Sequence, residues 1–276
     1  MSVSSSPVVR LEGVSQSFGG RPALSDVTLA IAPGEFVAVV GRSGAGKTTL
    51  LRCLARSIVA TSGTIRFGAR EIGPLRGRAL RAHRAGVGVI YQQFNLVKRL
   101  RVLDNVLVGR LSHLRGLARS AALAGHFGAD DQEIALRCLD HVGLLMRAWQ
   151  RTDTLSGGEQ QRVAIAKILA QAPSVILADE PVASLDVANA AMVMDMLRRV
   201  ASETGLTVIA TLHHVDYARR YADRVLALKA GRLVWDGPAA SLTDVRLDAI
   251  FEEPLAVETP RERSSLVPIP VELVAL

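Results

Sequence analysis

A run of five apolar residues, Phe36 to Val40, ends abruptly in Gly41-Arg-Ser-Gly-Ala-Gly-Lys-Thr48, and this junction limits the possible folds more than any other stretch. Five consecutive apolar residues closed by glycine predict a strand buried on both faces, as in a parallel sheet covered by helices. The glycines break the strand, and a helix is expected to open at Lys47. Between a strand and a helix, the pattern G-x-x-x-x-G-K-[ST] makes a phosphate cradle. The amides of Gly41, Arg42, Ser43, Gly44, Ala45 and Gly46 can turn inward as an anion nest, reinforced by the positive end of the helix. Lys47 brings a point charge to the β and γ phosphates, Thr48 offers a hydroxyl to magnesium, and Thr49 completes the cradle. A chance glycine-rich turn would lack the flanking strand and helix.

Val175-Ile-Leu-Ala-Asp-Glu180 reads as the complement: a buried strand delivering two carboxylates at its C-terminal end, where open α/β sheets keep their ligand crevices. Asp179 is placed to hold magnesium through its water shell, and Glu180 to polarise an attacking water as general base. Alone, an apolar run ending in Asp-Glu is an ordinary solvated strand terminus; the phosphate cradle upstream makes it specific.

Short β-rich runs alternate with helix-like segments, so an α/β fold on a largely parallel sheet is expected. Val8 to Val14 and Val27 to Ile31 read as early strands around a turn at Gly19 and Gly20, and Gly63 to Phe67 and Val87 to Tyr91 as later ones. The Gly- and Arg-rich stretch between that later pair reads as an exposed connection. From Leu103 to about Ala170 helix formers dominate, as in Asp131 to Val142 and Glu159 to Leu169, which predicts an inserted helical lobe. The α/β pattern resumes with strands at Val175 to Ala178, Thr207 to Thr211 and Arg224 to Lys229, a helix at Ala188 to Ala201, and a hairpin around Gly231 and Leu233 to Trp235. The stretch from Glu252, with Pro254, Pro260, Pro268 and Pro270, is expected to lack regular packing.

Hydrophobic residues make up 49% of the 276 and charged ones 21%, which places the chain outside the disordered class. No signal peptide or membrane-spanning run is read from the sequence, so an intracellular chain is expected. The net charge of +7 admits nucleic acid, an anionic membrane surface or an acidic small molecule as partner, but with 4% aromatics there is little for stacking on bases and no nucleic-acid partner is expected. Cys53 and Cys138 are too far apart for a metal or redox pair and read as small hydrophobes. His83, His113, His126 and His141 have no metal-like spacing.

Leu155-Ser-Gly-Gly-Glu-Gln-Gln161 resembles the signature of ATP-binding-cassette (ABC) ATPases and precedes the carboxylate strand by the usual interval. The resemblance covers residues 8 to 250, with the helical subdomain at about 94–170 and a tail at 251–276. It implies a P-loop fold with a RecA-like mixed sheet core, an antiparallel β subdomain and the inserted helical subdomain. Ser156, Gly157 and Gly158, at a helix start, can grip a γ-phosphate. The resemblance assigns that phosphate to ATP on the loop of a second copy, so a head-to-tail homodimer with two composite sites is expected. It also implies that Phe18 stands where an aromatic, more often tyrosine, stacks on adenine. By the same resemblance, Gln92, or Gln93 beside it, is expected to sense magnesium and the attacking water, Asp186 in Ala183-Ser-Leu-Asp186 to lie on the loop crossing the dimer, and His213 to be the switch histidine at the γ-phosphate, with His214 a bystander.

Tyr91-Gln-Gln-Phe-Asn-Leu-Val-Lys-Arg-Leu100, Ala178 to Asp186 and Thr211-Leu-His-His-Val-Asp-Tyr-Ala218 are similar to the ATP-binding subunits of phosphonate importers. That likeness implies ATP and Mg2+ as cofactors, an integral membrane permease and an extracytoplasmic binding protein as partners, and a place on the cytoplasmic face of the inner membrane. Glu159 stands where glutamine is commoner and Lys167 where arginine is frequent. Alternatives are a cassette serving another importer, or a soluble cassette ATPase acting on nucleic acid or ribosomes, which usually carries two cassettes or long insertions.

Overall fold

The computed structural model describes residues 8–243 and Leu247. Buried and exposed side chains alternate along β1 (Val9–Phe18) and β2 (Arg21–Ile31), which form an antiparallel hairpin about Gly19 and Gly20. The apolar pentapeptide is β3 (Phe36–Val40), buried at every position, and α1 (Lys47–Leu54) follows the glycine loop. Next come β4 (Ser62–Phe67), β5 (Arg70–Glu71), α2 (Gly77–Gly86) and β6 (Val87–Ile90). The stretch read as a plain connection therefore holds a short strand and a ten-residue helix. Gly77 and Gly86 at its two ends disguise that helix, which is fixed by His83: buried, hydrogen-bonded through Nε2 to the Leu54 carbonyl at 3.0 Å and edge-on to Phe67.

Between β6 and the next strand lie α3 (Val102–Leu107), α4 (Gly116–Leu123), α5 (Ala129–His141) and α6 (Gly157–Gln171). Then follow β7 (Val175–Asp179), α7 (Val187–Thr204), β8 (Thr207–Thr211), α8 (Val215–Tyr221), β9 (Arg224–Lys229) and β10 (Arg232–Pro238). The tail at 251–276 lies outside the described residues.

Two sheets result. One is antiparallel, in the order β2-β1-β4-β5; the other is mixed, in the order β10-β9-β3-β8-β7-β6, with β10 antiparallel to β9 and the other neighbours parallel. With the helices this is the expected cassette architecture. The central strands send alternate residues to two cores. Phe36, Ala38 and Val40 join the helical side, with Ile176, Ala178, Val208 and Ala210. Val37 and Val39 join α1 and the antiparallel sheet, with Leu177 and Ile209. Fully burying such an aliphatic or aromatic side chain contributes about 1.5–3 kcal/mol. All five residues of β3 and of β8 are buried, so these two strands are the interior of the sheet.

Candidate functional site

β3, β7 and β8 are parallel neighbours, so their C-terminal ends deliver the glycine loop, Asp179-Glu180 and Thr211 through His213 to one edge of the sheet. The loop is held from behind. Gly231 N–H donates to the Ala45 carbonyl at 3.0 Å, and Ser25 N–H to the Gly231 carbonyl at 2.8 Å. Gly46 has φ +104°, and a Cβ there would sit 2.5 Å from the Ala23 carbonyl oxygen, so this position requires glycine twice over. Arg42, Ser43 and Gly44 are exposed, Ala45 is buried, and Thr48 and Thr49 are half-buried in the first turn of α1.

Lys47 is buried, and its Nζ donates to the carbonyls of Gly41 at 2.7 Å and Arg42 at 3.2 Å. Burial pushes its ammonium below the ordinary lysine range, while the charges of Glu180 and Asp179 pull it back up. A buried cation near two carboxylates, in a glycine loop at the start of a helix, suits a polyphosphate that arrives with a divalent ion. Asp179 supplies the oxygen chemistry for that ion. Its Oδ1 accepts from the Thr48 hydroxyl at 3.1 Å and from the Thr211 hydroxyl at 2.9 Å. A hydroxyl and a carboxylate meeting at the loop are hard ligands of the kind magnesium takes alongside phosphate oxygens. The residues present therefore fit a nucleotide phosphate chain with Mg2+.

Thr211 had no role in the sequence reading. Besides donating to Asp179, its oxygen accepts the Glu180 N–H at 2.9 Å. Glu180 has φ +51°, a left-handed conformation unusual for a side chain of its size, and its carboxylate Oε1 accepts from His213 Nε2 at 2.5 Å. The two residues line a cavity of about 330 Å³ with Ala183, Leu185 and His214. The only sequence sign of Thr211 was a hydroxyl ending an apolar strand next to another strand that ends in Asp-Glu.

A second group forms at the start of α6, separately from the loop. Ser156 caps the helix in a reciprocal box: its Oγ accepts from Glu159 N–H at 3.3 Å, and the Glu159 carboxylate accepts from Ser156 N–H and from Oγ–H, both at 2.9 Å. The backbone bond from Ser156, with opposing burial and then the hydroxyl bond, holds the Glu159 carboxyl below its usual range. The acidic departure at position 159 thus makes a cap that glutamine could also make. Gly158 faces α7, where a Cβ would lie 2.5 Å from Asn189 Oδ1. Asn189 is bound by Asp186, which accepts its backbone N–H at 2.9 Å and its side-chain N–H at 2.6 Å, and those bonds lower the Asp186 carboxyl. Ser156, Gly157, Gly158 and Asp186 are so brought together within one chain.

Phe18 ends β1, half exposed, on the hairpin whose other strand backs Gly46 through Ala23. Gln92 and Gln93 follow β6 and are exposed; among the described residues no hydrogen bond ties either to Asp179 or Glu180. They sit beside a cleft of about 460 Å³ between the strand layer and α6, lined by Tyr91, Phe94 and Lys167 among others. Lys167 Nζ donates to the Asn95 carbonyl at 3.1 Å, tying α6 to that segment. Cys53 is buried beside Leu50 and Leu54, and burial lifts both cysteine thiols to about 11.

A family model described as ABC transporter matches residues 24–183. The Phosphonates import ATP-binding protein PhnC of Rhizobium meliloti (strain 1021) is 44% identical over 265 residues, covering 95% of this chain and 93% of the relative. Its counterpart from Stutzerimonas stutzeri is 48% identical over 249 residues, covering 88% and 89%. Among solved structures, a dimeric post-hydrolysis state of an ATP-binding cassette bound to ADP and Pi aligns with TM-score 0.73 and 32% identity, covering 85% of this chain and 100% of that one.

Proposed function

The chain belongs to the ABC transporter family, and on that premise we propose that it is the ATP-binding subunit of a phosphonate importer, hydrolysing ATP to drive uptake of phosphonate or a related phosphorus oxyanion through a separate permease. Identities of 44% to 48% across most of the chain to phosphonate import ATP-binding proteins carry this reading. Residues 8–250 make up the ATP-binding domain, with the helical lobe at about 94–170.

ATP lies along the glycine loop, its phosphates held by the amides of residues 41–46 with Lys47, Thr48 and Thr49, and its base against Phe18. Thr48 and Asp179, with Gln92 approaching from the end of β6, would hold Mg2+. When bound, the ion supplies charge neutralisation at the phosphate oxygens. Glu180 acts as general base, and His213, already on its carboxylate at 2.5 Å, positions it and reaches the γ-phosphate. Ser156, Gly157, Gly158 and Asp186 serve the nucleotide of a second copy, so two chains pair head to tail and close on both nucleotides. The cleft beside Gln92 and Lys167 takes the permease, which in turn works with an extracytoplasmic binding protein, and the subunit sits at the cytoplasmic face of the inner membrane. No helix among the described residues is long and apolar enough to cross a membrane.

Growth on a phosphonate as sole phosphorus source tests the substrate. A strain lacking this chain is expected to stop growing on phosphonate while growing normally on phosphate, and to recover with the wild-type chain but not with Glu180→Gln. Unimpaired growth of the deletion strain on phosphonate would refute the substrate assignment.

A further inference from the structure

One face of the molecule gathers arginines that pair with no carboxylate among the described residues. Between Arg66 and Arg84 the chain carries six arginines and a single carboxylate, Glu71. All six are exposed; Arg70, Arg76, Arg78, Arg81 and Arg84, on β5, α2 and the turn between them, make the face, whereas Arg66 alternates to the other side of β4 from Phe67 and stands across from Glu71. Beneath them lies Arg56, buried, whose guanidinium spends its donors on carbonyls: Nε to Ile72 at 2.9 Å, and Nη2 to Gly73 at 2.5 Å and Leu75 at 3.5 Å. Arg84 in turn donates to the Arg56 carbonyl at 3.1 Å. Among the described residues none of these seven forms an ion pair with a carboxylate. Elsewhere Arg110, Arg151, Arg198 and Arg224 are matched with Asp131, Asp153, Asp223 and Asp236. The crowding is felt inside the fold. Burial, then the charges of Arg76 and Arg84, lowers Arg56; burial, partly offset by the Leu54 carbonyl, and then Arg56, Arg84 and Arg70 lower His83.

Unmatched like charges gathered on one face raise the energy of the folded chain, and an anionic partner relieves that cost. Guanidinium groups favour phosphate oxygens, which they bind in a forked geometry. We propose that the face formed by β5, α2 and the turn between them docks on the anionic phospholipid headgroups of the membrane. This rests on the reading that the subunit works at a membrane surface. Lipid is favoured over nucleic acid because the segment has one aromatic, Phe67, and it is half-buried against His83 rather than free to stack on bases. A membrane-surface subunit with no spanning helix among its described residues gains a second hold from such a face, which adjoins the cleft assigned to the permease at Arg84.

The test is flotation of the full chain with vesicles of phosphatidylcholine alone or with about one third phosphatidylglycerol, at roughly 0.1 M salt. Arg78 and Arg81 make no hydrogen bond or ion pair among the described residues beyond those of the helix backbone, so R78E/R81E leaves the fold and basal ATP turnover unchanged. At about 1 kcal/mol per cationic side chain near an anionic surface, this double reversal should weaken binding to the anionic vesicles by about thirtyfold or more. R115E/R119E, at the start of α4 and within it, makes the same net charge change elsewhere and should retain most of the binding. The proposal is overturned if wild type ignores anionic vesicles, if both double variants lose binding equally, or if a short DNA duplex captures the chain in preference to the vesicles. None of these readouts needs a permease or phosphonate, so a failure here is separable from a failure of the growth test.

Discussion

Replacing Thr211 by valine keeps shape and burial but deletes an oxygen that touches both carboxylate residues. It removes a hydroxyl donated to the Asp179 carboxylate at 2.9 Å and an acceptor for the Glu180 N–H at 2.9 Å. A hydrogen bond to a charged group contributes about 1.5–3 kcal/mol and a neutral one about 0.5–1.5, so the fold should lose about 2–4.5 kcal/mol. The loss bears on function because the same bonds fix the Asp179 carboxylate and the left-handed backbone that presents Glu180. If about 2 kcal/mol of that appears in magnesium binding, half-saturation by Mg2+ moves up by about thirtyfold. ATP turnover titrated with Mg2+, beside urea unfolding, measures both. Thr211→Ser, which keeps the hydroxyl, should lie near wild type in each assay. A valine variant that matches wild type in urea midpoint, Mg2+ dependence and turnover would refute the positioning role of the hydroxyl.

Glu180→Gln should bind ATP normally, lose at least about a hundredfold in turnover as expected for a missing general base, and elute as a dimer in ATP by gel filtration; wild-type turnover would refute the base assignment. Lys47→Ala should abolish tight nucleotide binding in calorimetry, since the point charge at the phosphates is lost. Glu159→Gln probes the helix cap by pH. Because the folded carboxyl is lowered, its stabilisation is present above the ordinary glutamate value of about 4.3 and vanishes as pH falls through the folded one, so the melting-temperature gap between wild type and variant should be constant near neutrality and shrink in acid. Gly158→Ala should destabilise by about 1–3 kcal/mol in urea unfolding, because its methyl meets the side chain of Asn189.

Strands were legible where apolar runs meet strong punctuation. Phe36–Val40, Thr207–Thr211 and Arg224–Lys229 form with the ends that their sequences indicate. Burial on both faces leaves no alternative period for such runs. Helices stabilised mainly by distant contacts were not legible. α2 carries little apolar surface of its own and depends on the Leu54 carbonyl and Phe67, both far from His83 in sequence. α8 is a single short stretch after two histidines, below the length at which periodicity speaks. The loop, the Asp-Glu pair and the signature stand out because each is a local pattern. Thr211 does not, since its role exists only once β7 and β8 lie side by side.

The alternation of β3, β7 and β8 between two cores has a mechanical corollary. These strands are a party wall: half of each side-chain row belongs to the helical side and half to the side of α1 and the hairpins. Neither side can melt alone without stripping apolar cover from the wall itself, so the described chain should come apart in one concerted event. Two structurally distinct layers are thereby obliged to live or fail together.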